Sequence, residues 1–219
     1  MTCVCRVQGA ADKLTTTTMR LLSKLDAFAR SLDYNTISED RKAAIQPFVD
    51  YVQAKKDKGE AINLNFICTH NSRRSQFSQI WGKVAAVYYG IEVSTFSGGV
   101  EVTAFNERAV ASIQRFGFEV SKEGQENPQY SVSYAESQPP LVMFSKLYDD
   151  ATTPDQFAAV MTCSHADENC PFIPAADARI PLRYEDPKAF DDTPKEAEMY
   201  DERSRQIATE LFFAFSKIS

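Results

Sequence analysis

The chain contains nothing long and apolar enough to enter a membrane. Among its 219 residues no apolar run approaches the ~18–20 that a membrane helix needs. The first ten residues, MTCVCRVQGA, lack the apolar stretch of a secretion signal, so a cytoplasmic protein is expected. Positive charge is not in excess either: 24 lysines and arginines against 30 aspartates and glutamates leave a net charge of −6. That argues against nucleic acid and membrane surfaces as partners, and any bound anion must be held by a local device. Histidine is scarce, with two in the chain. The five cysteines, Cys3, Cys5, Cys68, Cys163 and Cys170, are odd in number, which argues against a disulfide framework. Internal repeats are absent, and the one low-complexity run is Thr15 to Thr18.

What is present divides the chain in two. In residues 1–60, Met19, Leu21, Leu22, Leu25, Phe28 and Leu32 recur at helical spacing, as do Ile45, Phe48, Val49 and Val52. Thr36 with Glu39 reads as a capping box, Pro47 as a kink or a new start, and KKDKGE (55–60) as a solvated connector. This region is expected to be a helical extension packed on the rest. From residue 61 to 219, strand-like and helix-like segments alternate. Strands are predicted at 62–67, 92–99, 157–163 and 179–187, and helices at 75–89, 105–116 and 196–217. Such alternation predicts an α/β three-layer sandwich with a central parallel sheet flanked by helices. Residues 125–150 fit this scheme poorly and read as a hairpin or an irregular insertion.

The stretch FICTHNSRRSQFSQIW (66–81) carries the chemistry. A buried strand ends on Cys68, and a helix follows a short polar loop. The amides at such a helix start converge on one point, and the helix dipole favours an anion there. The cradle comprises Thr69, His70, Asn71, Ser72, Arg73, Arg74 and Ser75. Arg74 adds a planar fork matched to two oxygens of a tetrahedral oxyanion. A thiol at a helix N-terminus beside an arginine favours its thiolate. Cys68 is therefore a candidate nucleophile inside an oxyanion site. A second cysteine pair lies in MTCSHADENCP (161–171), where Cys163 and Cys170 are seven positions apart. In a helix they would stand ~10.5 Å apart along the axis, beyond the Cα separation of about 7 Å that a disulfide tolerates. The pair would bridge only if the segment looped out, which suits a switch better than a staple. Cys163, His165 and Cys170 match no common zinc spacing, so no metal or other cofactor is expected. Cys3 and Cys5 read as part of an unstructured terminus.

CTHNSRRSQ resembles the active-site loop of the low-molecular-weight protein tyrosine phosphatase superfamily, and is closest to its thioredoxin-coupled arsenate reductases. The resemblance spans about residues 61–217. It implies that Cys68 is the nucleophile, that Arg74 binds equatorial oxygens, that Asn71 holds the loop and that Ser75 hydrogen-bonds the thiolate. SGGVE (97–101) resembles the family's Ser-x-Gly-x-Glu segment, and CSHADENCP its redox segment. The latter implies a relay through Cys163 and Cys170 to a thioredoxin-like reductant. Asp186, in the family's Asp-Pro context, is implied to be the general acid, while Glu185, Asp191 and Asp192 read as surface carboxylates. His70 stands where the family usually has glycine, and Arg73 where it often has a second loop cysteine. Gln79 replaces a glutamate linked in some reductases to a potassium site, so that ion is not expected. Lys188-Ala189-Phe190 replaces the tyrosines of phosphotyrosine phosphatases. The resemblance therefore implies arsenate reduction first. A phosphatase for phosphotyrosine or small phosphate esters, and a non-catalytic redox-sensitive binding module, are the alternatives.

Overall fold

The computed structural model describes residues 20–169 and 172–219. Along the chain the elements are α1 (Ser23–Arg30), α2 (Glu39–Asp57), β1 (Asn63–Cys68), α3 (Arg74–Tyr88), β2 (Ser94–Gly99), α4 (Glu107–Phe116), β3 (Glu119–Glu123), β4 (Gln129–Ser133), β5 (Leu141–Met143), β6 (Phe157–Met161), α5 (Ser164–Asn169), β7 (Ala176–Pro181) and α6 (Glu196–Phe215). Short 3₁₀ turns sit at Tyr34–Thr36 and Pro187–Phe190.

Four strands form a parallel sheet in the order β2-β1-β6-β7. Side chains alternate across it, as strand geometry requires. Leu64, Phe66, Ala158 and Val160 join the large core, whereas Ile67, Phe157, Ala159 and Met161 join a smaller core on the opposite side. Helices α3, α6 and α2 pack on or behind the first face, and α5 covers the second. The result is the three-layer α/β sandwich that the strand–helix alternation predicts. Trp81 of α3 is fully buried and donates its indole N–H to Ser204 of α6 at 2.9 Å, which fixes the helix that carries the loop arginines.

The N-terminal helices share this core. Leu25, Ala29, Ile45, Phe48, Val49 and Val52 are buried in the same cluster as Phe66 and Phe215. Each of these side chains other than Ala29 contributes about 1.5–3 kcal/mol by leaving water. Met19, Thr15 to Thr18, Cys3 and Cys5 lie outside the described residues. The predicted capping box is replaced by a different cap. Ser38 accepts the Arg41 amide at 3.3 Å, and the Thr36 hydroxyl instead donates to the Asp33 carbonyl. Glu39 is the first residue of the helix, too early to reach back as a box requires. Helix α2 also runs unbroken through Pro47, because its buried stripe outweighs the loss of one amide donor. The 55–60 connector is tied down: Lys55 pairs with Glu60 at 2.9 Å and with Asp177 at 2.8 Å.

Residues 119–143 form a separate antiparallel sheet, β3-β4-β5. The pairing of β4 with β5 around Pro139-Pro140 is the predicted hairpin. Strand β3 escaped prediction because EVSKE is largely polar and exposed, with no apolar alternation to mark it.

Candidate active site

Strand β1 delivers Cys68, 3% exposed, to the base of the loop, and α3 begins at Arg74. Between them the chain must turn sharply, and Asn71 supplies the turn with φ at +45°. Asparagine tolerates that left-handed conformation because its side chain bonds locally. Its Oδ1 accepts the Lys146 amide at 3.0 Å, its Nδ2 donates to Ser75 Oγ at 2.8 Å, and its carbonyl accepts Gln76 Nε2 at 2.9 Å. Ser75 Oγ in turn lies 3.1 Å from Cys68 Sγ. His70 keeps an ordinary φ, so the loop needs no glycine at that position. The Ser72 hydroxyl closes the far side by donating to the Ala104 carbonyl at 2.7 Å.

SGGVE packs against this loop through backbone. The Val100 and Glu101 amides donate to the Thr69 carbonyl at 2.8 and 2.9 Å. A Cβ on Gly99 would stand 2.8 Å from the Asn71 nitrogen and 2.6 Å from the Glu101 oxygen, so only glycine fits. The Glu101 carboxylate reaches His70 Nε2 at 3.2 Å.

Asp186 meets both arginines. Arg73 Nε donates to one oxygen at 2.8 Å and Arg74 donates to the other at 2.7 Å, while Arg74 also donates to the Tyr184 carbonyl at 3.1 Å. Arg73, which sequence left open, is 7% exposed and keeps its charge in the site. Burial raises the Asp186 carboxyl, but the Arg74 and Arg73 guanidiniums and the Lys188 amide outweigh it and hold the group below the usual aspartate value. Asp191 is not an ordinary surface carboxylate: it accepts the Tyr200 hydroxyl at 2.7 Å and faces Arg108. Asp192 is exposed and pairs with Arg108.

Cys163, 1% exposed, follows β6 and sits at the start of α5, where its sulfur accepts the Ala166 amide at 3.4 Å. Thr69 Oγ1 lies 3.5 Å from that sulfur and 3.2 Å from His165 Nδ1. The parallel pairing of Ile67 with Met161 explains the proximity, since both strands end at the same level. Cys170 lies outside the described residues. The segment between the cysteines is the helix α5, held by Asp167 pairing with Arg179 and Arg183.

Lys146 was not singled out from sequence. Its amide anchors Asn71, its ammonium lies 4.5 Å from the Phe144 ring centroid, and burial lowers its pKa to about 8. The signal was a lone lysine ending the apolar run LVMFSK. Gln79 donates to the Thr95 carbonyl at 3.0 Å. Among the described residues no group of histidine, cysteine or carboxylate side chains is arranged to hold a metal ion. A cleft of about 470 Å³ opens beside His70, Ser72 and Arg73 and is walled by Phe105, Tyr130 and Lys188. None of the described helices is long and apolar enough to cross a membrane.

A buried thiol thus ends a strand of the parallel sheet at the base of a strand–loop–helix turn flanked by two arginines, on a three-layer α/β fold. No family model matches the chain. It is 30% identical over 122 residues to arsenate reductase 2 of Staphylococcus epidermidis, a match covering 56% of this chain and 76% of that protein. An arsenate reductase of Halalkalibacterium halodurans is 28% identical over 131 residues, covering 60% and 78%. Among solved structures, a low-molecular-weight phosphotyrosine phosphatase from Vibrio cholerae superposes over 71% of this chain and 95% of its own at a TM-score of 0.47 and 14% identity. A thioredoxin-dependent arsenate reductase of Corynebacterium glutamicum superposes over 88% and 82% at a TM-score of 0.39 and 18% identity. The chain belongs to the arsenate reductase family.

Proposed function

We propose that the chain reduces arsenate to arsenite with its own thiols, residues 61–219 forming the catalytic domain and residues 1–60 an extension to it. Arsenate binds the amides of residues 69–75, and Arg74 leaves Asp186 to grip two of its oxygens. The Cys68 thiolate attacks arsenic, and Asp186 protonates the oxygen that departs as water. Cys163 then attacks the Cys68 sulfur. The sulfur–arsenic pair of electrons stays on arsenic, so arsenic(V) becomes arsenic(III) while two thiols become a Cys68–Cys163 disulfide. Cys170 attacks Cys163, frees Cys68, and leaves a Cys163–Cys170 disulfide for a thioredoxin-like dithiol. Such a cycle needs a reducing compartment such as the cytoplasm.

The observation that carries this reading is the contact of Thr69, a loop residue, with the Cys163 sulfur at 3.5 Å. It brings a second buried thiol to the rim of the oxyanion cradle, where hydrolysis has no use for one. The test is arsenate-dependent oxidation of thioredoxin by wild type and by the Cys163→Ser/Cys170→Ser double variant, with aryl-phosphate hydrolysis assayed alongside. Reduction that is present in wild type and lost in the variant, while ester hydrolysis persists, supports the reading. Equal behaviour of the two proteins would defeat it.

One feature favours a second reading, hydrolysis of phosphate esters through a Cys68 phosphocysteine. The cleft of about 470 Å³ beside Arg73 is far larger than arsenate and suits an organic group. Vigorous ester turnover with no arsenate reduction would select it.

A further inference from the structure

We infer that Arg41, on a helix of the N-terminal extension, is a positioning residue for the segment that bears Asp186, an inference that rests on the acid role proposed for Asp186. The extension thereby becomes part of the catalytic apparatus as well as a cover for the core.

The chain of contacts is short. Ser38 caps α2 and sets the first turn, on which Arg41 stands. The Arg41 guanidinium grips both oxygens of Glu210, a residue of α6 that is 3% exposed, with Nε to Oε1 at 3.0 Å. Gln206 donates to the same Oε1 at 3.0 Å and braces it. With its fork fixed on Glu210, Arg41 donates its remaining nitrogen to the Arg183 carbonyl at 3.2 Å. Its guanidinium carbon also lies 5.2 Å from the centroid of the buried Tyr184 ring. The next carbonyl along, that of Tyr184, receives Arg74, and two residues further Asp186 receives Arg74 and Arg73. One guanidinium thus holds the strand exit from outside at residues 183 and 184, and another holds it from inside at 184 and 186.

The polypeptide at 183–186 belongs to no strand and no helix. It is held by the backbone bond of the Tyr184 amide to the Thr162 carbonyl at 3.0 Å, by these two arginines, by Arg73 on Asp186 and by the pairing of Arg183 with Asp167. When Arg74 turns to an oxyanion, its hold on 184 and 186 loosens, and the segment is left to Arg41 at 183 and 184, the Arg183–Asp167 pair and Arg73 on Asp186. A loss of ~1 Å in placing a proton donor is enough to slow a reaction by about two orders of magnitude. Lysine at position 41 would keep the charge but not the planar fork that spans Glu210 and the Arg183 carbonyl together.

The test is a double-mutant cycle in the full chain. Arsenate turnover is measured for wild type, Arg41→Lys, Asp186→Asn and the pair, with Glu210→Gln as a second way to release the fork and thermal melting to verify folding. Hydrogen exchange across 183–190 is recorded on the same proteins. The expected result is a fall of about tenfold in kcat for Arg41→Lys with KM changed less than twofold. That loss should shrink below about twofold in the Asp186→Asn background, because the two changes act on one step. Exchange at 183–186 should quicken while that of α2 stays unchanged. Equal loss in both backgrounds would mean that Arg41 is merely structural and would overturn the inference, as would no loss with unchanged exchange. Absence of arsenate turnover in wild type would defeat the functional reading instead, and exchange at 183–186 would then decide whether Arg41 positions the segment.

Discussion

The Thr69 hydroxyl lies 3.5 Å from the Cys163 sulfur, so the residue after the first thiol touches the second. Neither sulfur is exposed, and both belong to the smaller core on one face of the sheet. A hydroxyl donating to a developing thiolate stabilises it, and a hydrogen bond to a charged group is worth about 1.5–3 kcal/mol. Thr69→Val keeps the loop backbone and removes that donor. Arsenate turnover should fall about tenfold, while affinity for inorganic phosphate, read by calorimetry, should stay within about twofold. If both fall together, Thr69 serves the loop and not the relay.

Asp186 gives a pH signature in stability. Its carboxyl is held below the usual aspartate value, near 4 in an unfolded chain, by Arg74 and Arg73 against the opposing effect of burial. A depressed folded value means that the ion pairs contribute fully above about pH 4 and that the contribution fades as pH falls through the folded value. Asp186→Asn should therefore lower stability by about 1–3 kcal/mol at pH 7, since it leaves two guanidiniums poorly paired. The gap between variant and wild type should narrow as the pH falls below about 4. Urea melts at pH 7, 5 and 3 measure this, and a gap constant across that range would contradict the assignment.

The loop was legible because its parts are contiguous. A strand, a thiol, small polar residues, two arginines and a helix follow one another within FICTHNSRRSQFSQIW, and each has a local physical meaning. The sheet was legible for the same reason, since alternation of strand and helix is written along the chain. What was not legible depends on residues far apart. Arg73 meets Asp186 across 113 positions and Arg41 meets Glu210 across 169, and no local pattern encodes either partner. Thr36 misled because a capping box is defined by where the helix begins, which tertiary packing of α2 decided. Strand β3 was missed because it is polar and paired only with β4. Lys146 hid in an apolar run whose backbone, rather than its side chain, locks Asn71.

The glycines behind the loop supply a third prediction. At Gly99 an added Cβ would meet three backbone atoms within 2.9 Å, those of Glu101, Asn71 and Thr69. None of them is the free end of a flexible side chain, so the loop itself must shift. Gly99→Ala should abolish measurable phosphate binding and lower stability by about 1–3 kcal/mol, the range for overpacking a tight site. Gly90, with φ at +67° and open space around its Cβ position, provides the control. Gly90→Ala should cost about 1–2 kcal/mol through its left-handed φ and leave phosphate binding intact. Comparable loss of binding in both variants would show that the effect is global.

Ligand binding should also move a proton. Arg74 donates to Asp186 at 2.7 Å, and this pairing is part of what keeps the carboxyl ionised. An oxyanion in the cradle competes for the same guanidinium and brings negative charge of its own close to Asp186. Both changes disfavour the carboxylate, so its proton affinity must rise on binding. Below neutral pH the complex should then take up a fraction of a proton that the free protein does not hold. Titration of inorganic phosphate into the protein, in two buffers of different ionisation enthalpy, reads this uptake directly. Asp186→Asn should remove the buffer dependence beyond the part due to phosphate itself. Uptake that survives in the variant would place the proton elsewhere. No uptake in wild type would mean that Arg74 stays on Asp186 when the anion binds. The carboxylate would then be the wrong ionisation state for a proton donor, and the acid would have to be sought among other groups at the cleft.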